Sequence, residues 1–154
     1  MSPIIDLMSK INPLYSIAIL LFSIFISLFF GISKKHGIKI FIIILSAVSL
    51  ILAFAVNIYI YAAQGNFSSF LFTFEALQMV EICVVVFSAI NILIFISINH
   101  IKRDYFNKLL IMFLFAVCAS IFFIVSSNFI MIFLSLAVFT ISAFQLITSL
   151  NRNS

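Results

Sequence analysis

The chain has 154 residues, of which 66% are hydrophobic and only 8% charged, and its mean hydropathy is +1.39. A soluble domain of this size carries about a quarter charged residues, so the shortfall excludes a nucleic-acid binder, a secreted disulfide scaffold and an ordinary water-soluble enzyme. The net charge of +4 then reads as membrane topology before it reads as an anionic partner, and the expected fold is all-α and polytopic.

A helix needs about 20 apolar residues to cross a bilayer core of about 30 Å. The first such run covers positions 14–32, where Pro13 suits a first helical turn after a cap at Asn12, and it stops before Lys34, Lys35 and His36. It is longer than the roughly 7–15 apolar residues of a signal peptide, and no small-residue cleavage site follows, so a retained helix is expected. The leader carries Asp6 and a single base, Lys10, unlike the Arg-rich, acid-poor presequence of an imported mitochondrial protein.

The second run covers 38–62 and ends at Gln64-Gly65-Asn66, a turn-like tripeptide. The third covers 70–99 and holds Glu75 and Glu81; it overshoots the bilayer, so it tilts or begins at the interface. From Leu109 to Leu150 there is no charge, and one helix of that length would reach about 63 Å. It must fold back, and Ser126-Ser127-Asn128 is the polar cluster that permits it, giving spans at 108–125 and 129–150. Five transmembrane helices in one membrane domain, residues 1–154, are therefore predicted.

An odd number of spans places the two ends on opposite sides. Lys34, Lys35, Lys39, Lys102, Arg103, Lys108 and Arg152 fall on one side and Lys10 alone on the other. The positive-inside rule then predicts an outside amino terminus and an inside carboxyl terminus.

Glu81 is the sharpest candidate for chemistry. An acid two turns inside a span must face a polar interior or take up a proton, and burial favours the protonated form, which makes it a candidate proton carrier. A structural hydrogen bond to a neighbouring helix is the alternative. Glu75 falls nearer the interface, and Gln78 lies between the two acids at helical spacing, so the three form a candidate polar path. Asn57, Asn91, Asn128 and Gln145 are read as helix-packing groups, and His36 and His100 as interfacial anchors. Cys83 and Cys118 lie inside apolar runs without a metal or redox spacing and are read as reduced thiols. No phosphate-cradling or metal-binding motif occurs, so no cofactor and no metal is expected in this chain.

From Asp104 onward the sequence resembles NADH dehydrogenase subunit 2, an antiporter-like membrane subunit of respiratory complex I. The resemblance rests on Tyr105-Phe106 before the fourth helix, the Ser126-Ser127-Asn128 turn, the Phe133-to-Ile141 stretch of the fifth helix, Phe144 near its end and the polar tail Thr148 to Ser154. Upstream, Phe74-Glu75-Ala76 is similar to the family's start of the third helix. The glutamate that marks the fifth helix of proton-pumping members is replaced by Ala137, so that role does not carry over and a purely structural variant stays open.

The resemblance implies part of an antiporter-like helix bundle in a mitochondrial inner membrane, or else a bacterial plasma membrane. Phenylalanine-rich, tryptophan-free composition fits the A+T-rich coding of an organelle. Because the family continues through further helices, the expectation is the amino-terminal part of a split subunit, whose partners are other membrane-arm subunits, a second chain with the remaining helices, and lipid. FMN, iron-sulfur clusters and ubiquinone would belong to other subunits. Two rival classes remain: an independent homo-oligomeric carrier or channel, and a membrane assembly or accessory protein.

Overall fold

The computed structural model of the protein describes residues 14–33, 35–64, 67–68 and 73–151. Asp6, Lys10, Asn12, Pro13, Lys34, the Gly65-Asn66 turn, the expected start of the third span at Phe70 and Arg152 lie outside the described residues. Among the described residues five helices follow in order: α1 (Leu14–Phe30), α2 (His36–Gln64), α3 (Ala76–His100), α4 (Phe106–Val125) and α5 (Phe129–Asn151). The last four are long and apolar enough to cross a membrane, whereas α1, at 17 residues, falls short of that length.

The third helix departs most from expectation, because it begins at Ala76 and not near position 70. Thr73–Phe74 (β2) instead pairs antiparallel with Phe67–Ser68 (β1), with Phe67 opposite Phe74 and Ser68 opposite Thr73. Glu75 is extended, with φ −121° and ψ 171°, and forms a reciprocal capping box with Gln78, which satisfies otherwise orphaned amides and fixes the helix start there. At the other expected break, Ser126 leaves the helix with φ −71° and ψ 131°. Asn128 Oδ1 then accepts the Ile130 N–H at 3.0 Å and caps α5.

Three side chains make the long-range hydrogen bonds that tie neighbouring antiparallel helices together. The Lys39 ammonium, early in α2, donates to the carbonyls of Ile101 and Arg103 beyond the end of α3 at 3.0 and 2.8 Å. The Asn107 amide, early in α4, donates to Gly31 and Ser33 beyond the end of α1 at 3.1 and 2.9 Å. Gln78, early in α3, donates through Nε2 to the Ile124 carbonyl near the end of α4 at 3.0 Å. Helices α1 to α4 consequently close into a ring, each packed on its two neighbours, while α5 packs mainly on α4 from outside.

The buried positions record this arrangement. In α3 they are Ile82, Val86, Ala89, Leu93 and Ile96, a four-three-four-three spacing that puts one stripe against the bundle. Central α4 buries residues on two faces, among them Phe106, Leu110, Leu114 and Ile121, all fully enclosed. The α5 helix buries only Ser135 and Ser142. Exposed apolar side chains such as Phe29, Phe87, Phe129 and Phe144 cover the outside, as a chain solvated by hydrocarbon requires.

Between α1 and α2 the core is more polar. Ser23, Ser27, Ser46, Ser49 and Asn57 are all buried. Ser46 and Ser49 donate to the carbonyls of Ile42 and Ser46 within their own helix, which conceals their hydroxyls. Neither polar atom of Asn57 has a partner among the described residues, and a buried, unsatisfied amide is destabilising by about 1–3 kcal/mol. Asn57→Leu, similar in size, is therefore expected to raise the unfolding free energy by about 1 kcal/mol in detergent-micelle denaturation; a loss of stability would show that the amide has a partner.

Candidate functional site

The three residues singled out as a polar path start together and then part. Glu75 is exposed at the head of α3, and its N–H donates to Gln78 Oε1 at 2.8 Å. Gln78 is half-buried and also donates to Ile124. Both groups of its amide are thus engaged in capping α3 and tying it to α4. Glu81 is exposed on the outer surface of α3, not aimed into the ring, and it makes no hydrogen bond or ion pair among the described residues.

Of the other polar residues, none bonds across to a neighbouring helix as expected for packing groups. Asn91 donates to Phe87 of its own helix at 2.9 Å, Asn128 caps α5, Asn57 has no partner and Gln145 is exposed. His36 is exposed, and His100 Nδ1 lies 3.1 Å from the Tyr105 hydroxyl. Cys83 and Cys118 are both free thiols. Among the described residues no three His, Cys, Asp or Glu side chains gather as metal ligands would.

Two buried polar residues that cross-link the bundle were not singled out. Lys39 counts in the sequence only as one of the bases that set topology, yet it is 4% exposed. Its spacing held the clue, because Lys39, Ile42, Ser46, Leu50, Ala53 and Asn57 recur every three or four residues along one face of α2. Asn107 carried no comparable signal, since its acceptors lie 76 and 74 positions away.

The two ends of the bundle differ in charge. Lys35, Lys39, Lys102, Arg103 and Lys108 lie at one end with a single acid, Asp104. Among the described residues the opposite end has Glu75 and, just inside it, Glu81, without a base.

Because α5 packs mainly on α4, it leaves an open groove on either side. One, of about 230 Å³, runs between α1 and α5 over Cys118 and Ala119. The larger, of about 450 Å³, runs between α3 and α5 over Ala116, Val117 and Ser120 of α4.

No protein-family model, curated protein or solved structure matches the chain.

Proposed function

We propose that this chain is a membrane-arm subunit of a respiratory NADH:ubiquinone oxidoreductase, similar to the amino-terminal helices of subunit 2, with a scaffolding role beside the proton-translocating machinery. The carrying observation is the attachment of α5. Four helices already close a ring, and the fifth is only 11% buried along its span. A helix so uncovered, with Ser, Thr and Gln along its length, suits an array continued by another chain.

The family resemblance supplies the complex, and the basic end suits the matrix or cytoplasmic side of the membrane. The mitochondrial inner membrane is the proposed location. Electron transfer, with FMN, iron-sulfur clusters and ubiquinone, belongs in this reading to other subunits. Glu81 remains the in-chain candidate for a protonatable group, whereas Glu75 and Gln78 are drawn into the capping of α3.

Mild-detergent extraction, native electrophoresis with NADH dehydrogenase staining and mass spectrometry of the active band test this reading. The chain is expected there in stoichiometric amount, beside a second chain bearing later antiporter-type helices. A rival reading, a homo-oligomeric carrier with Glu81 between protomers, draws on the exposure of that acid. Migration as a small separate oligomer would select the carrier and discard the complex I subunit.

A further inference from the structure

Glu81 does not stand alone on its face of α3. Val85, Ser88 and Ile92 follow it at four, seven and eleven residues, one side of a helix, and all three line the groove between α3 and α5. By that spacing Glu81 falls one turn beyond the groove's lining residues on the same face, toward the acidic end. Ala116 and Ser120 of α4 form the groove's floor and Ala143 of α5 part of its far wall. The Ser120 hydroxyl is taken up by the Ala116 carbonyl at 2.8 Å. Small side chains with concealed hydroxyls let another helix backbone approach closely.

Depth and charge select the occupant. The 25 residues of α3 rise about 37 Å against about 30 Å of hydrocarbon, so Glu81, sixth in the helix, lies about 4 Å inside the boundary. An unpaired acid there is stabilised by a counter-charge on a neighbouring helix. The chain's described bases cannot supply one, because Lys35, Lys39, Lys102, Arg103 and Lys108 all lie at the other end of the bundle, roughly 28 Å along the helix axis. The described bases of a second copy inserted in the same direction lie at that same far end.

We propose that the groove between α3 and α5 receives a transmembrane helix of a different chain, which carries a lysine or arginine paired with Glu81. This requires only that the chain have a membrane partner, and it stands whether or not that partner belongs to NADH:ubiquinone oxidoreductase. The test uses the full chain in its native assembly. Glu81→Lys is expected to lower its recovery in the assembly about tenfold, and Glu81→Gln about threefold.

A photoreactive phenylalanine at the exposed Ser88 position is expected to cross-link to a helix with a base within about one turn of the Glu81 level. Changing that base to glutamate is expected to restore the assembly of Glu81→Lys. Ser88→Phe, which fills the groove, should also reduce recovery, whereas Ile94→Phe, about 140° around α3 from Glu81, should not; this pair keeps the test valid if charge reversal harms folding. Wild-type recovery of Glu81→Lys together with Ser88→Phe would overturn the proposal. So would cross-links that map only to lipid, to a second copy, to residues 1–13 of this chain, or to a helix without a base at that level.

Discussion

Lys39→Met is expected to lower the unfolding free energy by about 3 kcal/mol, read from denaturant-driven loss of helical circular dichroism in mixed micelles. Methionine preserves much of the length and the apolar stem, so the change isolates the ammonium. That ammonium is nearly enclosed and donates to the Ile101 and Arg103 carbonyls where α3 ends. Hydrogen bonds from charged donors contribute about 1.5–3 kcal/mol each, and the negative end of the α3 dipole adds to them. Relief from burying a charge offsets part of the loss. A change below about 0.5 kcal/mol would mean that desolvation cancels the bonds entirely.

Asn107→Ala is expected to destabilise the bundle by about 2–3 kcal/mol in the same measurement. The variant forfeits both bonds to the end of α1 and leaves the Gly31 and Ser33 carbonyls without that donor. The space around that joint is tight: a Cβ on Gly31 would lie 2.7 Å from the Ser27 carbonyl and 3.1 Å from the Ile111 side chain. Little collapse is available to fill the hole left by alanine. Removing the unpartnered Asn107 Oδ1 returns a fraction of the loss. Unchanged stability would show that the α1 end is held by packing alone.

What could be read in advance follows from range. Hydropathy is local, so five helices and the Ser126-Ser127-Asn128 fold-back were legible, and their bounds agree within about one turn except at α3. There, the apolar run extends through Phe70 to Phe74, while the capping box of Glu75 and Gln78 decides the start; a Glu-x-x-Gln pattern is polar and leaves no mark on hydropathy. The short first helix likewise ends at Phe30, where Gly31 and Ile32 turn.

The site was less legible. A charged residue in an apolar run can be found by inspection, but which way it faces depends on which helices are neighbours. For Glu81 the sequence leaves a polar interior, proton uptake or a bond to a neighbouring helix open, and the packing of Ile82, Val86 and Ala89 inward turns it outward by one residue's rotation of about 100°. Lys39 counts in the sequence only as a base for topology, at the start of the second span, and lies in the core. Its carbonyl partners are 62 and 64 positions distant, beyond any spacing argument.

The joint between Asn107 and Gly31 also orders events in time. Residues arrive in the membrane from the amino terminus onward, and the ring has no last wall until α4 is inserted. Until then α1 to α3 form an open arc that lacks the α4 side chains of the finished core. Closure across 76 positions is the slow, non-local step, after which α5 folds down onto its sequence neighbour α4 through a short turn. A chain ending before position 106 would thus hold three walls of a four-walled ring.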